Sequence, residues 1–111
     1  MANPVSAYYW AHVDKFLVTD PDQVLGALTA AHTQVLEVEQ RRAWELEIRI
    51  LRQTLTGLAG AIYLEFDVPR LGSRIDAVLI SEAAIFPIEF KCGEALFEWP
   101  ITTRPGITRL T

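Results

Sequence analysis

Residues 62 to 91 set the architecture of this chain and read IYLEFDVPRLGSRIDAVLISEAAIFPIEFK. Apolar and polar residues alternate over 62–68, and this period of two is typical of a strand with one buried face. Two short turns then separate it from two further strands, which we place at 74–80 and 84–91. Because the second turn is short, we expect strands two and three to pair as an antiparallel hairpin.

Three amphipathic stretches precede these strands, over 7–17, from Asp20 onward, and over about 38–58. Asp20 offers an N-cap, and Pro21 suits the first helical position because its fixed φ is already helical. The third stretch has the clearest apolar face, formed by Trp44, Ile48, Leu51 and Leu55. We therefore expect an α/β chain in α+β order, with N-terminal helices followed by a three-stranded, hairpin-containing mixed sheet.

The composition suits a small domain with a packed core, since the chain has 111 residues and half of them are hydrophobic. A net charge of -4 differs from the basic balance of most dedicated nucleic-acid binders. Cys92 is the only cysteine, so no internal disulfide can form. No signal peptide and no apolar run of roughly 18 residues is present, and we expect a soluble, cytoplasmic protein.

Three charged residues on the last two strands form the candidate site. Residues two apart on a strand share a face, so Glu89 and Lys91 project to the same side, and the hairpin can bring Asp76 beside Glu89. Two carboxylates suit Mg²⁺ or Mn²⁺, while the Lys91 ammonium is placed to orient water or to offset charge in a transition state. The alternative is an ordinary solvated strand face, because Glu-x-Lys is a common pattern.

Three segments extend this pattern: AWELEI at 43–48, YLEFDVPR at 63–70, and RID at 74–76 followed by KCGE at 91–94. The order of a helix, a strand, the strand with RID at 74–76 and then IEFK at 88–91 resembles the PD-(D/E)XK, or restriction-endonuclease-like, nuclease superfamily. More narrowly, the three segments resemble a bacterial family in which such a domain precedes a P-loop, helicase-type ATPase. The resemblance runs from roughly Tyr8 to Glu94 and implies hydrolysis of DNA phosphodiesters with Mg²⁺ or Mn²⁺.

Carried over by position, the resemblance implies that Asp76 and Glu89 are metal ligands and that Lys91 is the catalytic lysine. Members of this superfamily often add a glutamate from the first core helix. We choose Glu47, which borders the apolar stripe of the third helical stretch, and keep Glu45 on its other flank as the fallback. A plain solvated helix glutamate is the alternative interpretation of Glu47.

The chain departs from this family in two places. Pro87 lies in the motif strand, where a proline is normally confined to an edge or a bulge. The superfamily core is α-β-β-β-α-β, whereas this chain supplies the first four elements. We therefore divide it into an N-terminal helical segment at 1–37, a partial nuclease-like core at 38–94 and an irregular tail at 95–111. Suitable codons for 99–110 in another frame would encode a family-like continuation, so we interpret the tail as a candidate frameshift product.

These features predict a truncated PD-(D/E)XK-type nuclease domain with DNA as its substrate. One alternative is an inactive remnant that no longer holds its site residues in register. Another is a non-catalytic interaction or regulatory module of an ATPase, with Tyr8, Tyr9 and Trp10 as its surface. We also expect a protein partner or an oligomer to cover the open face of the sheet.

On the first strand, we expect Glu65 to project away from Leu64. It would then lie either near the site or as an ordinary exposed residue.

Overall fold

A computed structural model describes residues 6–68 and 72–90 of the chain, together with the backbone of two short strands beyond them. The elements are β1 (Ala7–His12), α1 (Val13–Val18), α2 (Pro21–Ala31), α3 (Val38–Thr54), β2 (Ala61–Val68), β3 (Ser73–Ile80), β4 (Ile85–Ile88), β5 (Phe97–Glu98) and β6 (Arg109–Leu110). Strands β1 to β4 form one sheet in sequence order, and β5 pairs with β6. Among the helices of the described residues, none has the length and apolar character needed to cross a bilayer.

The first element differs from the helix expected over 7–17. Ala7–His12 is a strand, antiparallel to β2, and the helix begins only at Val13. Consecutive aromatic residues at Tyr8, Tyr9 and Trp10 suit a pleated surface better than a helix. The edge of β2 also offers backbone hydrogen-bond partners to this segment. Because β2 lies far along the chain, the local pattern of apolar residues does not predict this pairing.

The sheet therefore has four strands rather than three, and all its pairings are antiparallel rather than mixed. The predicted hairpin between β3 and β4 is confirmed, with Ala77 opposite Ile88 and a Ser81 N–H bond to the Ala84 carbonyl of 2.9 Å. Pro87 lies in β4, the last strand of the sheet in the described part of the chain. At an edge the missing N–H of proline leaves no neighbouring strand unpaired, which accounts for its tolerance.

Helices α2 and α3 pack with the sheet around one core. The predicted cap of α2 is confirmed, since the Asp20 carboxylate accepts the Asp22 N–H at 2.8 Å and Pro21 opens the helix. The apolar face predicted for α3 is confirmed as well, although the helix ends at Thr54 rather than near residue 58. The largest fully buried side chains are Trp44, Phe16, Leu28, Leu51, Leu55, Ile62, Val13 and Val24.

Gly60 joins the helical layer to the sheet. Its carbonyl accepts the Val13 N–H at 2.9 Å, at the point where β1 turns into α1. Its φ of 128° lies in a region that L side chains rarely adopt, and a Cβ there would overlap the carbonyl oxygen of Ile80. Both the backbone conformation and the close approach therefore require glycine.

We predict that Gly60→Ala lowers the free energy of unfolding by about 2 to 4 kcal/mol, because it adds backbone strain and a clash with β3. The matched control is Gly26→Ala in α2, where nothing lies within 4 Å of the added Cβ. This control should raise stability by about 0.5 to 1 kcal/mol through helix propensity. Urea denaturation of both variants measures the difference, and equal effects would contradict the constraint at Gly60.

Candidate functional site

Four carboxylates interact at one place in the fold: Glu47 on α3, Glu65 on β2, Asp76 on β3 and Glu89 just after β4. The pKa of Glu47 is raised from 4.5 to about 8. Burial is the largest cause, and the charges of Asp76, Glu65 and Glu89 follow in that order. The structure thus brings Glu47, Asp76 and Glu89, which the sequence singled out, into one electrostatic cluster and adds Glu65. We call these four residues the carboxylate cluster.

The strand register explains how two members of the cluster meet. Leu64 pairs with Ala77 and Phe66 pairs with Ile75 across β2 and β3, so Glu65 and Asp76 lie between two paired positions. The β1 register brackets Tyr8 in the same way, between pairs that include Leu64 and Phe66. The two carboxylates are close enough that the charge of Asp76 raises the pKa of Glu65.

A hydrogen bond to Asp76 connects β3 to the end of β4. The Phe90 N–H donates to Asp76 Oδ2 at 2.9 Å. Because Phe90 follows Glu89 directly, this bond holds the Glu89 backbone beside Asp76. Asp76 is half-buried, whereas Glu89 is exposed. The short hairpin therefore brings the backbone at Glu89 and Phe90 next to Asp76.

Glu65 reaches the cluster through an unusual backbone conformation. Glu65 has a φ of 55°, which lies in the left-handed region. Among the residues that the structure describes, Glu65 is the one non-glycine residue with a positive φ. Simple alternation would direct Glu65 away from Leu64, whereas its contacts bring it to the carboxylate cluster, the near-site alternative of the two expected. The buried Trp44 indole N–H donates to Glu65 Oε2 at 3.3 Å, on the side of the sheet that α3 covers. Such a conformation costs on the order of 1 kcal/mol or more and is found preferentially at functional sites.

The surroundings of Glu65 show that the cluster has a positive flank. Burial raises the pKa of Glu65, and the hydrogen bond from Trp44 opposes this. The charge of Asp76 raises it further, whereas Arg74 and His32 lower it. Both acidic and basic groups therefore lie close enough to Glu65 to act on its charge.

Two other residues are proposed from the sequence as members of the site. Glu45, the fallback for the helix carboxylate, is exposed and forms an ion pair with Arg41 at 3.6 Å, one turn earlier on α3. Glu47 is therefore the glutamate of this helix that interacts with the cluster. Lys91, the predicted catalytic lysine, lies outside the described residues.

The donor chemistry of the cluster fits a hard divalent cation. Mg²⁺ and Mn²⁺ prefer carboxylate oxygens, and the negative charges that raise the pKa of Glu47 are charges that a cation would neutralise. Within 6–68 and 72–90, however, no three His, Cys, Asp or Glu side chains stand close enough to hold a metal ion together. The residues therefore suit the ion by type, and the side chains would have to adjust to surround it.

Sequence reasoning missed the polar role of Trp44. The helical pattern assigns Trp44 to the core alone. A buried indole N–H, however, also needs a hydrogen-bond acceptor. The available signal was that Trp44 lies three residues before Glu47 on one helix. Residues with this spacing are neighbours on the helix surface, so the indole is expected near the Glu47 carboxylate. Nothing in local periodicity predicts the left-handed conformation of Glu65, since glycine is the usual residue there.

Comparison of the chain with models of protein families, with curated proteins and with solved structures finds no match. The resemblance to PD-(D/E)XK nucleases therefore stays a prediction from short motifs. The function has to be argued from the carboxylate cluster itself.

The raised pKa of Glu47 makes a prediction about stability and pH. Below pH 4.5 the carboxyl is protonated in both states, and between pH 4.5 and about 8 only the unfolded state releases the proton. The folded state then binds more protons, so the stability contributed by this group falls as the pH rises through that window. Glu47→Gln removes this fall. It should be close to neutral at about pH 4.5 and stabilising by about 1 to 2 kcal/mol at about pH 8.5, after allowance for partial exposure.

Thermal melts of wild type and Glu47→Gln across this pH range measure the effect. Glu45→Gln on the same helix is the matched control and should follow the wild-type profile, because Glu45 lies outside the cluster. A stability difference between Glu47→Gln and wild type that stays constant with pH would contradict a raised pKa at Glu47.

Proposed function

We propose that this chain is a nuclease domain of the PD-(D/E)XK type that hydrolyses DNA phosphodiester bonds with Mg²⁺ or Mn²⁺. The observation that carries the proposal is the carboxylate cluster, whose members come from a helix and three separate parts of the sheet. Gathering like charges in a half-buried place opposes folding unless a cation offsets them. Such an arrangement is typical of a functional site rather than of a structural core.

Within this proposal Asp76, Glu89 and Glu47 are the residues that would hold the cation. When bound, such a cation polarises a phosphate and makes water acidic enough to attack near neutral pH. The Phe90 N–H fixes one oxygen of Asp76 and so leaves the other oriented for a ligand. Trp44 restrains Glu65 in the same way from the helix side.

Proton transfer from Glu47 is linked to cation binding. With a pKa of about 8, this carboxyl retains its proton at neutral pH, and it must release that proton to act as a ligand. Lys91 follows Glu89 by two residues and would supply an ammonium group near the scissile phosphate. The site thus combines groups that bind a cation with a group that can offset negative charge on the substrate.

An inactive remnant is the second candidate, and one observation favours it. In the described part of the chain, no three ligand side chains are close enough to hold a metal ion together. Nuclease chemistry requires ligands held within about 0.5 Å of their working positions. The two candidates therefore differ first in whether the protein binds a divalent cation at all.

Calorimetric titration with Mn²⁺ distinguishes the two candidates. The nuclease proposal predicts binding that strengthens between about pH 6 and pH 8 and releases about one proton per ion near pH 7, because Glu47 must ionise. Repeating the titration in buffers of different ionisation enthalpy measures the protons released. Glu47→Gln should bind Mn²⁺ more weakly and without this release. Absence of heat from wild type would support the remnant instead.

Cleavage of plasmid DNA tests the activity itself. In the presence of Mn²⁺, Asp76→Asn and Lys91→Ala should each lower the initial rate at least about 100-fold, since each removes a group required at the reacting phosphate. Glu45→Gln, which removes a carboxylate from the exposed side of α3, should cleave at the wild-type rate. Cleavage that survives both Asp76→Asn and Lys91→Ala would mean that the activity belongs to another site or to a contaminant.

A further inference from the structure

Arg74 lies on β3 two residues before Asp76, and its guanidinium rests on an aromatic ring. Its Cζ atom is 4.7 Å from the centre of the Tyr8 ring on β1. The Tyr8 ring is fixed in turn by edge-on contacts with Trp44 at 6.2 Å and with His32 at 6.0 Å. Its hydroxyl also lies 3.4 Å from His32 Nδ1. The guanidinium is therefore positioned beside the carboxylate cluster by a ring that packs against the core.

The guanidinium N–H groups of Arg74 have no acceptor among the described residues. Within that part of the chain, no carboxylate lies within salt-bridge distance of Arg74, although Asp67 is its direct partner in the β2–β3 register. Arg74 is exposed and lowers the pKa of Glu65, so it faces both the cluster and solvent. A guanidinium that stacks through its face still presents its N–H donors at its edges.

This arrangement fits a phosphodiester better than it fits a structural ion pair. A negatively charged strand that approaches four carboxylates is repelled, and a fixed cation next to them reduces that repulsion. The planar guanidinium matches two oxygens of one phosphate group, and its contact with Tyr8 reduces the freedom that binding would have to remove.

We propose that Arg74, held on the Tyr8 ring, binds a backbone phosphate of a single nucleic-acid strand adjacent to the phosphate at the carboxylate cluster. Tyr8 acts as the positioning residue for this contact. The proposal rests on the proposed nuclease function for the class of ligand, and it adds a subsite that sets where the strand lies relative to the cluster.

Strand binding measured apart from hydrolysis tests the subsite. The probe is a short fluorescein-labelled single-stranded DNA, and Ca²⁺ replaces Mg²⁺ in the titration of the full chain. Arg74→Gln should weaken binding about tenfold and reduce the slope of log Kd against log salt by about 0.7, because one phosphate contact is lost. Arg41→Gln removes the same charge from the exposed side of α3 and should change neither quantity.

The role of Tyr8 is tested by two substitutions that differ in the ring. Tyr8→Phe keeps the aromatic face and should bind like wild type, whereas Tyr8→Leu removes the face and should behave like Arg74→Gln. A series of probes with one neutral methylphosphonate linkage locates the contact. One position should weaken wild-type binding and leave Arg74→Gln unaffected.

The outcomes separate this proposal from the nuclease proposal. If Arg74→Gln binds the probe with the wild-type affinity and salt slope, or if wild type fails to bind it, the subsite is wrong. If binding depends on Arg74 while plasmid DNA is never cleaved, the subsite stands and the hydrolytic function fails. If cleavage depends on Asp76 while Arg74→Gln binds normally, only the subsite fails.

Discussion

Burial and mutual repulsion of four carboxylates constrain the rest of the site, because both raise the pKa of Glu47. Glu47 comes from the helix and the other three come from successive parts of the sheet, so the packing of α3 on β2 and β3 brings the charges together. The fold reduces this repulsion in two ways: Glu47 retains its proton at neutral pH, and the Trp44 indole donates a hydrogen bond to Glu65. A divalent cation would neutralise more of the repulsion among the carboxylates, and this is the physical basis for the proposed function.

The proposed function requires an acidic chain to act on an acidic polymer. The net charge of -4 opposes general attraction to DNA, so affinity must come from local groups. A cation held by the cluster would reverse the charge at the reacting phosphate, and Arg74 on Tyr8 provides a positive flank beside it. Tyr8, Glu65 and Asp76 lie on the neighbouring strands β1, β2 and β3, so the sheet would place the proposed phosphate contact next to the proposed cation site.

The parts of this structure that follow from local rules could be predicted from the sequence. The Asp20 cap, the apolar face of α3 and the hairpin that brings Asp76 beside Glu89 each depend on spacing within one or two neighbouring elements. The strand at Ala7–His12 could not be predicted in this way, because its partner lies about fifty residues later in β2. The change in direction of the Glu65 side chain could not be predicted either, since it needs a left-handed backbone conformation that glutamate disfavours.

The central claim is that these carboxylates form a site for a divalent cation, and titration of the Glu47 carboxyl by NMR tests it most directly. Without metal, the carboxyl resonance should report a pKa of about 8, far above its ordinary 4.5. With saturating Mg²⁺, the same resonance should remain ionised to much lower pH, because the cation favours the charged form. A Glu47 pKa near 4.5 without metal, or a titration that Mg²⁺ leaves unchanged, would contradict the claim.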